Sequence, residues 1–284
     1  MKLDFSKMEG LGNDFVMLDD RDKRIKASIS YSDLARRLCD RHFGIGGDGI
    51  ILARESQDHD IRFVIINSDG TEPEMCGNGM RCFAKYLYEK KILTQRSMRV
   101  ETLAGTVIPE VVVEETDRVT SVRVDMGVPV LSCKKIPFVC DHETGIEESI
   151  ETPFGTKIVT TVSMGNPHAV IFVPDIRGVD VEKIGRAIET HERFPEKTNV
   201  EFVERISDTE LRMKVWERGA GITLACGTGA CACLVASNLT RRTSHRALIH
   251  LDGGDLEIFW DKESGHIFKT GPATLVFEGS IFIG

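Results

Sequence analysis

The chain has 284 residues, enough for two domains of ordinary size that each bury their own core. Its 41% hydrophobic and 28% charged residues argue against disorder, and no apolar run approaches membrane-spanning length. A formal net charge of −8 argues against a nucleic-acid-binding protein, since such proteins usually carry an excess of basic residues. We therefore expect a soluble globular protein without nucleic-acid or membrane partners.

The first residues, MKLDFSKMEGLGNDF, lack the apolar core of a signal peptide and the composition of a transit peptide. This favours a cytoplasmic protein, in which the eight cysteines should be mostly reduced thiols. No CxxC pair occurs, so we expect no structural metal site.

In chain order the pattern predicts few helices and many strands. The helices are predicted at about residues 31–40, 79–90, 181–192 and 229–239. The strands are predicted at residues 61–67, 98–103, 106–113, 119–126, 157–163, 169–173, 211–217 and in the pair RALIHL and LEIFW, which DGGD joins. This composition indicates a mixed, largely antiparallel α+β fold.

The two helices that follow the CGxG sequences differ in character. The first has one apolar face, formed by Met80, Phe83, Ala84, Leu87 and Tyr88, and should lie against a sheet. The second, ACACLVAS, is apolar all round, which predicts a helix enclosed by a curled sheet.

The sequence repeats itself at an offset of 150 residues, and a repeat of this length predicts two similar domains. The matched pairs are Cys76 with Cys226, Gly77 with Gly227, Gly79 with Gly229, Gly49 with Asn199, and Asn67 with Glu217. Further upstream, GLGNDFVML resembles SMGNPHAVI, and Asn13 meets Asn166 at an offset of 153 residues.

Each repeat places a thiol at the start of a helix. Backbone N–H groups and the helix dipole favour the thiolate there, and the glycines behind it let a carboxylate approach the amides. Two such halves that face one substrate could move a proton from one face of a carbon to the other. One thiolate would remove the α-proton, the other thiol would protonate the opposite face, and backbone amides would stabilise the carbanion.

The other candidates have structural alternatives. Asparagines at positions 13, 67, 166 and 199 could be ordinary turn residues, and His168 could be a structural histidine. Glu217 and Arg218 could be an exposed pair or a clamp for substrate charges. The remaining cysteines lack a Gly-x-Gly partner and are interpreted as structural: Cys39, Cys82, Cys133, Cys140, Cys231 and Cys233.

The chain resembles the diaminopimelate epimerase family in KMEGLGNDFVMLD, FGIGGDGII, NSDGTEPEMCGNGMRCFA, MGNPHAV, TNVEFV and ERGAGITLACGTGACA. The resemblance implies cofactor-independent interconversion of LL- and meso-diaminopimelate, on the bacterial route to lysine and cell-wall peptide. It implies two pseudo-symmetric domains, each a mixed sheet around a central helix, with the site in the cleft between them. The domains would comprise residues 1–122 with about 272–284, and residues 123–271. A homodimer is a further expectation from the resemblance.

The resemblance also implies residue roles. Cys76 and Cys226 would be the acid/base pair, supported by His168 and Glu217. The side chains that would hold the substrate are Asn13, Asn67, Asn166, Asn199, Glu217 and Arg218, with Arg218 on the distal carboxylate. The groups at the helix starts that would bind the α-carboxylate are Gly77, Asn78, Gly227 and Thr228. The chain departs from the family pattern at Gly49, where many relatives have glutamine, and at Ile222, where glutamate is expected.

Two other readings remain open. A proline or hydroxyproline racemase has similar paired cysteine turns, but its first turn usually has histidine where this chain has Asn78, and its substrate would leave Arg218 without a role. From a different class, the chain could be a thiol redox sensor or an amino-acid-binding protein, since sensors also use thiols at helix starts. Oxidation would then join Cys76 to Cys226.

Overall fold

The computed structural model describes residues 1–283 and divides into two compact units. The first comprises Met1–Val124 and the chain from Thr270 onward, and the second comprises Asp125–Lys269. Gly284, which the sequence analysis assigns to the first domain, lies outside the described residues.

The first part of the chain forms β1 (Lys2–Gly10), β2 (Asn13–Asp19), α1 (Arg24–Ser28), α2 (Tyr31–Cys39), β3 (Gly49–Arg54), β4 (Ile61–Asn67), α3 (Gly77–Glu89), β5 (Val100–Thr102), β6 (Gly105–Val107), β7 (Pro109–Val113) and β8 (Val119–Asp125). The second part forms β9 (Glu148–Ile150), β10 (Lys157–Ser163), β11 (Pro167–Phe172), α4 (Val181–Glu189), β12 (Asn199–Arg205), β13 (Glu210–Glu217), β14 (Gly221–Thr223), α5 (Gly227–Leu239), β15 (Arg246–Leu251), β16 (Gly254–Trp260) and β17 (Ile267–Gly271). The last strand, β18 (Thr274–Phe282), returns to the first unit.

The sheet of the first unit has the order β18-β1-β2-β3-β4-β5-β6. Helix α3 contacts β1, β2, β3, β4 and β7, while α2 contacts β3 and β4. The predicted apolar face of α3 is confirmed, since all five of its predicted residues are buried. Burial of these side chains contributes much of the core that fixes the start of α3 in place.

The second unit contains strands in the order β17-β16-β15-β13-β12-β11-β10-β9, with β14 paired to β13. Residues Gly229–Ser237 of α5 are all buried, and α5 contacts β10, β11, β12, β13, β15 and β16. The predicted enclosure of this apolar helix by strands is therefore confirmed. Helix α4 contacts β12 and β13, and a Cβ on its Gly185 would lie 2.5 Å from Trp216 Cβ.

The repeat seen in the sequence is reproduced in the strand registers. Strand β2 runs parallel to β3 with Phe15 opposite Gly49, and β11 runs parallel to β12 with His168 opposite Asn199. In each unit the next strand is antiparallel, and Gly49 lies opposite Asn67. Within residues 1–283 the fold is α+β with five α-helices and mixed sheets, so the predicted fold class is confirmed.

Two cysteines depart from the prediction. Cys133 and Cys140 form a disulfide, so these two are exceptions to the mostly reduced thiols that the sequence predicts. The physical reason is a tight turn, because Ile136 N–H and Phe138 N–H both donate to Cys133 O and the two Cα atoms come within 6.7 Å. The other six cysteines are not disulfide-bonded.

Nothing among the helices of residues 1–283 is both long and apolar enough to cross a membrane.

Candidate active site

Cys76 is the N-cap residue of α3. Its backbone is extended, at φ −138° and ψ 118°, and its half-buried Sγ accepts a hydrogen bond from Gly79 N–H at 3.4 Å. A Cβ on Gly79 would lie 2.7 Å from Ile51 Cδ1, so glycine lets this turn pack against β3. The sulfur therefore lies at the positive end of the helix, beside the amides of Gly77 and Asn78.

Asn13 lies beside this thiol at the start of β2. The Cys76 thiol donates to Asn13 Oδ1 at 3.7 Å, and Asn13 Nδ2 donates to Asp48 Oδ2 at 2.6 Å. Asp48 also accepts from the backbone N–H of Asp14. Since Asp48 can only accept when ionised, it fixes the direction in which the Asn13 amide points.

A network of charges holds the loop that carries Asp48. Lys7 Nζ lies 2.7 Å from Asp14 Oδ2, and Arg41 Nη2 lies 2.8 Å from Asp14 Oδ1 and 3.0 Å from Asp48 Oδ1. Burial raises the pKa of the Asp14 carboxyl, but the hydrogen bonds from Arg41 and Lys7 outweigh it and bring the pKa well below its ordinary value. Asp14 is thus ionised and links the two cations.

Arg81 is fully buried on α3, five residues after Cys76. Its Nε donates to Pro272 O and its Nη1 to Asn78 Oδ1, both at 3.0 Å. Burial lowers the pKa of this guanidinium, although its interaction with Cys76 opposes the shift. Its Nη2 has no hydrogen-bond partner in the described chain. The side chain of Asn78 is consequently occupied by Arg81, whereas its backbone amide remains at the helix start.

Asn67 ends β4, where its Nδ2 donates to Thr71 Oγ1 at 3.0 Å and its N–H to Thr71 O at 2.8 Å. These bonds close the turn after the strand, so the side chain is engaged locally rather than with Cys76. Opposite it, a Cβ on Gly49 would lie 2.6 Å from Ile66 O. The backbone around Gly49 therefore has no room for a side chain.

Cys226 is the N-cap residue of α5 and repeats the backbone of Cys76, at φ −123° and ψ 109°. Its Sγ accepts from Gly229 N–H at 3.4 Å and lies 3.5 Å from Thr228 Oγ1. A Cβ on Gly227 would clash with Lys269 Nζ. Burial raises the pKa of the Cys226 thiol, and the nearby carboxyls of Glu217 and Glu201 raise it further. The thiol form is favoured here.

His168 is fully buried on β11 and contacts a polar side chain on each side. Its Nδ1 lies 2.7 Å from Glu201 Oε1 and its Nε2 lies 3.0 Å from Asn166 Oδ1. Glu201, on β12, is also fully buried, and burial raises the pKa of its carboxyl. The predicted residues Asn166 and His168 therefore contact each other directly, and Glu201, which the sequence does not point to, holds the other side of the His168 ring.

Glu217, Arg218 and Asn199 meet at the ends of β12 and β13. Asn199 Nδ2 donates to Pro167 O at 2.8 Å, and its Oδ1 accepts from Arg218 N–H at 2.9 Å. Thr223 Oγ1 donates to Glu217 Oε1. The guanidinium of Arg218 is exposed and donates to Glu196 O at 3.1 Å. Asn199 thus supports the strand ends, while Arg218 extends a cation into solvent.

Sequence reasoning missed Asp48, Arg81 and Glu201. Asp48 lies in the GGDG segment, and Arg81 falls within an otherwise apolar helical face. Glu201 interrupts the apolar run of NVEFV. A charged residue inside a buried element is a detectable signal, since such residues need a partner.

A sequence model of the diaminopimelate epimerase family matches residues 5–132 and 160–276. The diaminopimelate epimerase of Desulforapulum autotrophicum is 58% identical over 283 residues, which cover 100% of both chains. That of Heliobacterium modesticaldum is 47% identical over 98% of this chain and 99% of its own.

Solved structures with the same fold have low sequence identity. A PhzF-family phenazine biosynthesis protein of Bacillus anthracis matches with a TM-score of 0.67 and 16% identity, covering 100% of both chains. A hydroxyproline epimerase of Agrobacterium vitis matches with a TM-score of 0.66 and 15% identity, covering 99% of this chain and 92% of the other. These similarities support the fold and carry no argument about the substrate.

Proposed function

Because the chain belongs to the diaminopimelate epimerase family, we propose that it interconverts LL- and meso-2,6-diaminopimelate with Cys76 and Cys226 as acid and base. The observation that carries this proposal is the duplicated turn, in which each cysteine is an N-cap whose sulfur accepts an amide hydrogen at 3.4 Å. The reaction would supply precursors of lysine and peptidoglycan.

The reaction moves one hydrogen between the two faces of an α-carbon. One cysteine, as thiolate, removes the α-proton and becomes a thiol. The other, as thiol, gives its proton to the opposite face and becomes a thiolate, so that charge and protons balance. In the reverse direction the two exchange roles. Burial and the nearby carboxyls raise the pKa of Cys226, so the thiol form is favoured there, and we assign the proton donor to Cys226 and the base to Cys76 for one direction of the reaction.

The carbanion is the high-energy species, because the α-proton of an amino acid is very weakly acidic. The first amides of α3 and α5 have no partner within their helices and can donate to the α-carboxylate as charge develops. These amides belong to Gly77 and Asn78 in one turn and to Gly227 and Thr228 in the other. Fixed dipoles of this kind need little reorganisation during the reaction.

The side chains around the turns would hold the rest of the substrate. Arg218 is an exposed cation, and its guanidinium fits the distal carboxylate of diaminopimelate. Glu217 accepts from Thr223 and keeps a second carboxylate oxygen for an ammonium group. The asparagines at positions 13, 67, 166 and 199 would complete the set through their amide groups, with support for catalysis from His168 and Glu217.

The deciding measurement is proton NMR of LL-diaminopimelate with the protein in D₂O, under reducing conditions and without added cofactor. Deuterium should enter one α-position as the meso isomer forms, and Cys76→Ala and Cys226→Ala should both abolish this. Cys82→Ala, which removes a buried thiol of α3, is the control and should keep the activity.

Full activity in either active-site variant would reject the two-cysteine mechanism. No exchange with the wild-type protein would reject the substrate, and L-proline and hydroxyproline would then be tested in the same assay. Exchange with those substrates would favour the racemase alternative.

The proposed assembly is a homodimer, and the proposed location is the cytoplasm, where the six cysteines outside the Cys133–Cys140 disulfide would remain thiols. Strand β18 lies at the edge of its sheet and exposes Leu275, Val276, Phe277 and Phe282. Exposed apolar side chains on an edge strand are typical of an interface. Light scattering should give twice the mass of the chain, and Phe277→Glu should reduce it to the monomer. A monomeric wild-type protein at working concentration would reject the dimer.

A further inference from the structure

Glu201 is a carboxyl in a position where the fold favours apolar side chains. It lies in the middle of β12, in a run of five buried residues from Asn199 to Val203. Its Oε1 contacts His168 Nδ1 at 2.7 Å, but its Oε2 has no hydrogen-bond partner among residues 1–283. A buried carboxyl that is half satisfied costs stability, and such a cost is retained where the group has a function.

The hydrogen bonds of His168 define which nitrogen carries its hydrogen. Nε2 lies 3.0 Å from Asn166 Oδ1, and a carbonyl oxygen can only accept. Nε2 must therefore be the donor, which leaves Nδ1 to face Glu201. Burial raises the pKa of the Glu201 carboxyl and favours its protonated form. The Glu201 carboxyl holds Nδ1 from the other side of the ring, which keeps Nε2–H directed at Asn166 Oδ1.

The same contact defines the orientation of the Asn166 amide. With Oδ1 engaged by His168, the two hydrogens of Nδ2 are directed away from the histidine. Asn166 is half-buried in the turn between β10 and β11, so this amide nitrogen can donate to a ligand. Two N–H donors suit a carboxylate, whereas the reversed amide would present an oxygen and repel one.

We propose that Glu201 is a positioning residue that fixes the tautomer of His168 and thereby directs the amide nitrogen of Asn166 at the substrate carboxylate. The inference rests on the proposed function and adds a residue to its binding machinery. Glu201 does not touch the substrate and acts through two hydrogen bonds. It also lies close behind the second cysteine turn, since a Cβ on Gly229 would lie 2.7 Å from its Oε1.

Asn13 of the first unit corresponds to Asn166 in the repeat, and its amide is oriented by a single contact. Asn13 is held directly by Asp48, which accepts from its Nδ2 at 2.6 Å. Asn166 instead has its oxygen held by a histidine, and the histidine is held by a carboxyl. The two amides are thus fixed from opposite ends, one through its nitrogen and one through its oxygen.

The first test is ¹⁵N NMR of histidine-labelled protein, with the His168 signals assigned by comparison with His168→Gln. We expect a hydrogen on Nε2 of His168 in the wild type and also in Glu201→Gln, whose amide can still form a hydrogen bond with Nδ1. In Glu201→Met the Nδ1 signal should shift because its partner is lost. A wild-type His168 with its hydrogen on Nδ1 would overturn the proposal without any variant.

The second test is a double-mutant cycle for epimerase activity. Glu201→Met should lower kcat/KM about tenfold, chiefly through KM, while Glu201→Gln stays within about threefold of the wild type. When Glu201→Met is added to Asn166→Ala, kcat/KM should fall by less than about twofold further. The reason is that Glu201 acts through Asn166, which is already absent in this background. If the loss of kcat/KM in the double variant equals the product of the two single losses, Glu201 does not act through Asn166, and the proposed relay from Glu201 through His168 to Asn166 is overturned.

The two tests separate the two proposals. Thermal unfolding of each variant shows whether the fold is retained, and the tautomer of the wild type decides the relay even if a variant is unstable. A protein with the expected tautomer but no epimerase activity would reject the proposed function alone. An active protein with an unaffected Nδ1 signal in Glu201→Met would reject the relay alone.

Discussion

The two cysteine turns have nearly the same backbone and very different surroundings. Cys76 and Cys226 differ by 15° in φ and 9° in ψ, and each sulfur lies 3.4 Å from the third amide of its helix. Cys76 is half-buried and interacts with the buried guanidinium of Arg81. Cys226 is buried, near the carboxyls of Glu201 and Glu217.

The two turns therefore share their backbone conformation but differ in the charged groups that surround each sulfur. Burial and the carboxyls near Cys226 raise the pKa of that thiol, whereas the residue Cys76 is partly exposed. A reaction that uses one base and one acid needs one sulfur as thiolate and the other as thiol at the same time.

The largest effect is expected from serine in place of either cysteine. Cys76→Ser and Cys226→Ser should each lower kcat/KM about 10³- to 10⁴-fold, because a hydroxyl is a far weaker acid than a thiol and the proton relay is broken. Steady-state kinetics in both reaction directions would check this. A small loss of kcat/KM at only one position would mean that the two turns do not both supply a catalytic acid or base.

Removal of the buried cation of the first turn should be the next largest effect. Arg81→Met leaves Pro272 O and Asn78 Oδ1 without their donor and should lower the free energy of unfolding by about 3 kcal/mol. Urea unfolding measures this. The control is Arg177→Met. Arg177 is exposed, so the loss of its ion pair with Asp175 should leave the urea midpoint unchanged. Equal effects of the two substitutions would contradict the assigned role of Arg81.

The charge network behind the first turn has no counterpart in the sequence repeat. Asp14→Asn should cost about 2 kcal/mol, less than for a fully buried pair because 19% of the Asp14 side chain is exposed. Because the fold lowers the pKa of Asp14, this contribution to stability is fully present when the pH is above 3.8, the ordinary pKa of an aspartate. It is lost as the pH falls from 3.8 toward the lowered pKa.

Unfolding free energies of Asp14→Asn and the wild type should therefore differ most near neutral pH and converge as the pH falls below about 4. A difference that grows on acidification would contradict the ionised state of Asp14. The matched control is Asp4→Asn, whose partner Lys2 is largely exposed and which should show little difference at any pH.

The smallest effect is a difference in thiol reactivity in the native protein. Burial raises the pKa of Cys39 and Cys82 to about 12 and that of Cys231 to about 11, so these thiols should resist iodoacetamide near pH 8. Cys76 should react first. Cys226 should react more slowly, because burial raises the pKa of the Cys226 thiol. Mass mapping of the alkylated peptides over time measures the order, and faster labelling of Cys226 would reverse the proposed acid and base.

The sequence by itself determined the features that depend on neighbouring residues. The N-cap cysteines, the helices they begin and the alternation of sheet and helix follow from local chemistry and periodicity. The internal repeat predicts two similar domains, and the residues paired between β2 and β3 match those paired between β11 and β12 at offsets of 153 and 150 residues. Strand β12 was not predicted, since its central glutamate breaks the apolar run that would indicate a buried strand.

Tertiary structure decided the features that join residues far apart in the chain. The pairing of His168 with Glu201, of Arg81 with Pro272 O and of Asn13 with Asp48 spans 33, 191 and 35 residues. No local pattern records which buried polar group meets which, because hydrogen bonds form wherever the packed strands bring donor and acceptor together. The cysteine turns were therefore readable in the sequence, but the charges that distinguish them became visible only in the folded chain.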